Sequence, residues 1–346
     1  RSVAPFQLPI RENEKFVGFV NVVKMAGRRF TKKNEYEACD IPDYVQKNLG
    51  IARSALLEAV AETSDEYMEK YFSGEEFTIE EIQNALKENV RTCSIAPVLM
   101  GSGIHAQGFN VLLQIIEKYF PAPNESETVG VDASSGEHFS AKFNPEASLS
   151  AKVFKTIVDP FVGRLTFLRL RSGELCNDDS VYNASRGALE RLGGLFTMQG
   201  NQQIKVAKAF AGDIVVTSKL TATQTGDTLA DKNDPILYEP IAYPGSMLIM
   251  AAYPKKKGDE EKVFGSLEKE QDEDPTIVVF KFPETKETLV RAQGEVQIEI
   301  LGERLARKFG AEIEFREPKV PYRETIRKSV KAEGKHKKQS GGHGQY

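Results

Sequence analysis

Residues 154–173 read Phe-Lys-Thr-Ile-Val-Asp-Pro-Phe-Val-Gly-Arg-Leu-Thr-Phe-Leu-Arg-Leu-Arg-Ser-Gly, and no other stretch leaves the backbone fewer choices. The first half alternates, which predicts Phe154, Thr156 and Val158 on one side of an extended segment. Proline has no amide to give a neighbouring strand, so Asp159-Pro160 ends the pairing. Gly163 permits a reversal, and Leu165, Phe167 and the residues after them resume as a second strand, which Ser172-Gly173 ends. Two runs of β-branched and aromatic residues joined by a Pro/Gly turn make a hairpin that opens an all-β domain. Short apolar runs follow at 180–183, 192–198, 203–207 and 213–218, with turn residues between them. That spacing predicts a closed barrel. Gly212 and Gly226 are expected in turns with positive φ. Asp213 and Asp227 are expected to form turns rather than an acid/base pair. The Ser-, Glu-, Gly- and Asn-rich segment 124–145 reads as linker.

Before the barrel, 16–23 reads as a strand and 44–71 as one or two amphipathic helices, with Ile51, Leu56, Leu57, Val60 and Met68 forming the apolar stripe. Thr78 with Glu81 three residues on is a capping-box pattern for a further helix. A short apolar strand at 95–100 leads into Gly101-Ser102-Gly103 and then a helix at 109–119, closed by Pro121 and Pro123. Strand, Gly/Ser loop and helix are the parts of an α/β crevice where ligands sit, although most such junctions are only turns. After the barrel the order is strand 247–252, helix 259–270, strands 276–282 and 288–292, helix 294–309 and strand 312–315. This βαββαβ order defines a ferredoxin-like fold, which hosts many functions. The run Asp272-Glu273-Asp274-Pro275 reads as a solvated turn rather than a metal site.

A length of 346 residues fits two or three domains, and the opening Arg1-Ser2, with no signal peptide, is expected of an interior fragment. No run of 18 apolar residues predicts a membrane span. Cys39, Cys93 and Cys176 are far apart, and His105, His138, His336 and His343 lack ligand spacing, so neither disulfide nor metal is predicted. A reducing, cytoplasmic setting is expected. The net charge of −4 hides a basic end: residues 319–346 carry eight Lys/Arg against Glu324 and Glu333. Such an end predicts a polyanionic partner, or else a solvated tail.

The hairpin string resembles the opening of the β-barrel second domain of elongation factor G, a translational GTPase family. Ala211-Gly212-Asp213-Ile214-Val215 and Thr225-Gly226-Asp227-Thr228-Leu229 look like the same barrel. Asp274-Pro275 and Gln293-Gly294-Glu295 resemble the family's third domain, with Gly294-Glu295-Val296-Gln297-Ile298 where the family usually has Gly-Glu-Leu-His-Leu. Val98-Leu99-Met100-Gly101-Ser102-Gly103 resembles the guanine-contacting loop, its usual Ser-Ala falling on Ser102 and Gly103. Residues 321–346 resemble the start of the fourth domain, whose first loop enters the decoding centre; His343 stands where the family usually has Arg. The resemblance covers nearly the whole chain. It implies a multidomain fold, α/β plus all-β plus α+β. The parts are a partial P-loop GTPase domain with an inserted helical subdomain (1–123), a translation-factor β-barrel (124–243), a ferredoxin-like domain (244–318) and the start of a fourth domain (319–346).

The resemblance further implies GTP-driven translocation, with GTP and Mg²⁺ as cofactors of the intact parent. The implied partners are ribosomal RNA, transfer RNA and ribosomal proteins, for a monomer with no membrane attachment. The RNA-contacting residues would be Lys335, Lys337, Lys338, Gln339, Gly341, Gly342, His343 and Gln345. The chain contains no Gly-x-x-x-x-Gly-Lys-Ser/Thr, no Asp-x-x-Gly with a flanking switch and no Asn-Lys-x-Asp; Asp231-Lys232-Asn233-Asp234 has the wrong order. No catalytic residue, bound cofactor or GTP hydrolysis is therefore expected of the chain alone, and the chemistry-bearing half is expected before Arg1. Alternatives are a ribosomal-protection or recycling factor of the same superfamily, and a non-enzymatic RNA-binding protein that reuses the barrel.

Overall fold

The computed structural model of the chain describes residues 2–32, 35–125, 128–141, 143–159 and 162–334. It divides into two units, residues 1–126 and 127–346. The first contains strands β1 (Ser2–Pro5), β2 (Gln7–Glu12), β3 (Lys15–Asn21), β4 (Ala26–Lys32) and β5 (Glu35–Cys39). Helices α1 (Asp43–Ala61), α2 (Asp65–Ser73) and α3 (Ile79–Arg91), strand β6 (Ile95–Val98) and helix α4 (Phe109–Tyr119) follow. Strands β2 to β5 form an antiparallel meander, while β1 pairs in parallel with β6. The predicted strand at 16–23 is β3. Sequence pattern does not reveal β4, because Arg28, Arg29 and Lys32 interrupt its alternation.

The predicted helical segment 44–71 is two helices, broken where Ser64 caps α2 by accepting a hydrogen bond from Tyr67 N at 3.2 Å. The buried stripe of α1 runs through Val45, Leu49, Ala52, Leu56 and Val60, whereas Ile51 points to solvent at 63% exposure. The capping box forms as its spacing predicts: Thr78 Oγ1 accepts from Glu81 N at 3.2 Å, and Glu81 Oε2 accepts from Thr78 N at 2.7 Å. Leu49, Leu56, Ile82 and Leu86 of the helices meet Val20 of β3 and Phe6 of the bend between β1 and β2 in one core.

The second unit opens with β7 (Thr128–Asp132) and β8 (His138–Ala141). Then come β9 (Ser150–Asp159), β10 (Gly163–Ser172), β11 (Glu174–Cys176), β12 (Ser180–Asn183), β13 (Ala188–Arg191) and β14 (Leu195–Gln199). Strands β15 (Gln202–Lys205), β16 (Lys208–Phe210), β17 (Ile214–Ser218), β18 (Thr228–Ala230) and β19 (Ile236–Tyr238) complete the all-β part. Eight strands pair antiparallel in the order β13-β12-β18-β9-β10-β17-β14-β15, and this sheet curls around a core that includes Val153, Leu168, Leu170, Leu195, Val215 and Leu229. Gly212 and Gly226 have φ of 92° and 98°, as expected of their turns.

Segment 124–145 is not a linker: β7 and β8 form a hairpin, and β19 adds to it as a third strand. Its Ser/Gly-rich middle is a tight turn in which Asp132 Oδ1 accepts from Ser134 N at 2.7 Å and Ser135 N at 2.8 Å. In the opening hairpin, Phe154 does not share a face with Thr156 and Val158. The register runs Phe167↔Lys155 and then Leu168↔Val153, so Phe154 is the extra residue of a β-bulge and lies 38% exposed while Thr156 and Val158 are buried. Its ring packs edge-on against Phe167 at 6.2 Å.

Strand β20 (Leu248–Pro254), helix α5 (Glu260–Glu273), strands β21 (Val278–Lys281) and β22 (Thr288–Ala292), helix α6 (Glu295–Arg304) and strand β23 (Ile313–Arg316) give the predicted βαββαβ order. The sheet is antiparallel in the order β21-β22-β20-β23, with α5 and α6 over one face. Among the described residues no helix is long and apolar enough to cross a membrane.

Candidate functional site

The loop between β6 and α4 is built to present its own tip. Gln7 Oε1 accepts from Met100 N at 2.8 Å and fixes the loop's entry. Ser102 and Gln107 face each other as an antiparallel bridge, each amide donating to the other's carbonyl at 3.0 Å. Gly108, at φ 87°, begins α4; a Cβ there would lie 2.9 Å from Met100 O, so only glycine suits the position. The turn Gly103-Ile104-His105 projects into solvent, with Ile104 95% exposed.

The two expected guanine-loop residues are thus adjacent but unlike. The Ser102 amide is spent on the bridge, and its hydroxyl accepts from His105 N at 3.3 Å. The Gly103 amide has no acceptor among the described residues. No atom lies within 4 Å of a Cβ built at Gly103, and its φ is not positive, so the family's usual Ala would fit there unchanged. What the loop can offer a base is the free backbone N–H groups of Gly103 and Ile104 on a braced turn.

The eight expected RNA contacts, Lys335, Lys337, Lys338, Gln339, Gly341, Gly342, His343 and Gln345, lie outside the described residues. The segment leading to them is exposed and held at two points. Lys319 N donates to Glu287 Oε2 at 3.1 Å, and Arg323 pairs with Glu284.

A third constellation joins the barrel to the ferredoxin-like part, and sequence reasoning missed it. The acidic run is not a solvated turn: Asp272 and Glu273 are the last turn of α5, beside the barrel hairpin. Glu273 Oε1 accepts from the Val158 amide of β9 and from Lys308 Nζ. Asp272 lies 3.6 Å from Arg164 of β10. Behind them Glu270, fully buried, has Lys308 at 3.5 Å and Arg304 at 3.6 Å. The one available signal was charge complementarity between the acidic end of α5 and Arg304, Arg307 and Lys308. Gln297, at the family's usual histidine position, donates to Asp274 Oδ2 at 2.9 Å and Thr276 Oγ1 at 2.7 Å. It also accepts from Gln293 N at 2.7 Å, so it braces the start of α6.

Three family models match the chain in succession. They are elongation factor G domain 2 over residues 148–232, elongation factor G domain III over 243–317, and elongation factor G domain IV over 318–346. Among solved structures, a protein of Thermus thermophilus is 34% identical with a TM-score of 0.72. The match covers 99% of this chain and 49% of that one, so the chain spans about half the length of this relative. Barrel, ferredoxin-like domain and the first residues of a fourth domain, in that order, place the chain in the elongation factor G family.

Proposed function

We propose that this chain works as part of a translational GTPase of the elongation factor G type, which drives translocation on the ribosome in the cytoplasm and acts as a monomer. The observation that carries this is the succession of the family's second, third and fourth domains along residues 148–232, 243–317 and 318–346. It favours translocation over ribosome protection or recycling. Within that function the barrel and the third domain are docking and coupling bodies. The acidic end of α5, tied to Val158 and Arg164, transmits movement of one to the other. The basic tip contacts RNA, with Lys335, Lys337 and Lys338 on phosphates and Gln339 and Gln345 on sugar or base edges.

Of the cofactors such a factor uses, the residues of this chain fit only the guanine base, through the Gly103 amide. The phosphates and Mg²⁺ need a Gly-x-x-x-x-Gly-Lys-Ser/Thr loop, which this sequence does not contain. GTP bound by the parent would supply the free energy of phosphoryl transfer to water.

The test is co-sedimentation of the 346-residue chain with ribosomes at low salt, followed by challenge with an intact elongation factor G. Saturable pelleting that the intact factor displaces supports the proposal. Pelleting that the factor cannot displace, or none at low salt, contradicts it.

A further inference from the structure

Inside the first unit, between strands β2 to β4 and the last turns of α4, lies a cavity of about 130 Å³. Three cations line it, Lys24, Arg28 and Lys118, and no carboxylate does. None of the three takes part in an ion pair among the described residues. Lys118 Nζ donates to Gln83 Oε1, and the Arg28 guanidinium lies over the Tyr36 ring at 5.9 Å. Burial first, and then the charge of Lys24, hold the Lys118 ammonium below its ordinary pKa.

Gln7 supplies the second, independent observation. It is 1% exposed and lines the cavity, and its Nε2 has no acceptor. The orientation of the amide is fixed: Oε1 takes the Met100 N–H at 2.8 Å, and the flipped amide would set donor against donor. A buried NH₂ without a partner is uncommon in folded proteins. This one lines the same cavity as three unpaired cations. Every unmet polar requirement of the cavity is for an acceptor or a negative charge.

We propose that this cavity binds a small tetrahedral oxyanion of the phosphate class, held by Gln7 Nε2 and neutralised by Lys24, Arg28 and Lys118. Its volume equals about four water molecules, enough for one such ion. Ligands the size of a nucleotide need cavities of roughly 300 Å³ or more, so the site takes the free ion. The site shares Gln7 with the anchor of the Gly103 loop, whose entry that residue holds at Met100, but it does not depend on the translational function proposed above. Phe6 stacks edge-on against Tyr119 at 5.2 Å beside the cavity and ties α4 to the strands that form the other wall. An anion here would therefore fasten α4 to the sheet through charge as well as through packing.

The test uses the whole chain and inorganic phosphate, titrated by ³¹P NMR and followed by thermal unfolding against chloride at equal ionic strength. Saturable binding at about millimolar concentration or tighter is expected, with a higher Tm in phosphate, as for any ligand that binds only the folded state. Gln7→Glu keeps the acceptor for Met100 N–H and replaces the donor Nε2 with a carboxylate oxygen facing the anion. It should weaken phosphate binding at least about tenfold and abolish the Tm difference. Should that variant fail to fold, Lys118→Met serves in its place, with the same weakening expected. Absence of saturable binding to the wild-type chain overturns the proposal and leaves the cavity to water. Equal Tm shifts in wild type and variant also overturn it, since they report a general salt effect.

Discussion

Replacing Asp227 with Ala removes the acceptor at the centre of the barrel's buried polar cluster. Oδ2 of this residue accepts from Arg186 Nε at 2.6 Å, Gln224 N at 2.8 Å and Asn183 Nδ2 at 2.9 Å, and the residue is 7% exposed. A hydrogen bond to an ionised group contributes about 1.5–3 kcal/mol. The Gln224 amide loses its full share. Asn183 retains Thr223 Oγ1 at 3.0 Å, and the Arg186 side chain is 38% exposed, so for these two water or another partner replaces much of the loss. The sum is about 3 kcal/mol, which raises the population of the open barrel by about two decades. Native-state hydrogen exchange reads this directly. Amides of β10, such as those of Thr166 and Leu168, should exchange about a hundredfold faster, while amides of α3 in the other unit are unchanged. Asp227→Asn, which keeps an acceptor but not the charge, should fall between. Rates for Thr166 and Leu168 within about threefold of wild type would show that the cluster does not hold the barrel together.

Acid should loosen α3 through Glu81. Its carboxyl is held down to about 2, from an ordinary 4.5, by the Lys70 ammonium first and then by the Thr78 amide and hydroxyl. Because the folded value lies below the unfolded one, this contribution is fully present above about pH 4.5 and is lost as pH falls toward 2. Helix protection followed from pH 5 to 2 should decline in wild type, and Glu81→Gln should remove that part of the slope; an identical decline in both would refute it. Glu273→Ala should strip the Val158 amide of its acceptor, at a cost of about 1–3 kcal/mol, and free the barrel from the third domain. Faster exchange at Val158 and new proteolysis within residues 239–247 are expected, and a Val158 amide as protected as before would disprove the tie. Calorimetry with GTP should show no binding in the micromolar range, since the free amides of Gly103 and Ile104 offer at most two hydrogen bonds of about 0.5–1.5 kcal/mol net each; a micromolar Kd, roughly −8 kcal/mol, would contradict this.

What could be read from the sequence was whatever local chemistry decides alone. The Thr78–Glu81 box, the reversal at Gly163 and the βαββαβ order follow from neighbours in sequence, and the structure has them. What could not be read depends on distant partners. The β7–β8 hairpin looks like linker because its strands are short and polar, and it takes its third strand from residues more than a hundred positions away. Phe154 breaks the alternation because a bulge inserts one residue, and composition does not mark where. Asp227 does form the expected turn, by accepting from Gln224 N, but its pairing with Asn183 and Arg186 crosses the barrel. The acidic end of α5 reads as solvated until a barrel strand lies beside it. At the loop between β6 and α4, motif resemblance indicates both Ser102 and Gly103, and only the bridge to Gln107 separates their amides.

The central claim is that the chain serves an RNA machine through its basic tip, and the salt dependence of RNA binding tests it most directly. Affinity of the chain for a single-stranded ribosomal RNA segment would be measured across a range of salt concentrations, for wild type and for the triple variant Lys335→Ala, Lys337→Ala, Lys338→Ala. Each lysine–phosphate pairing removed should flatten the log–log slope by up to about 0.7, so the variant should bind more weakly with a slope lower by up to about 2. An unchanged affinity and an unchanged slope would mean that the tip is a solvated tail and that the chain meets RNA elsewhere or not at all.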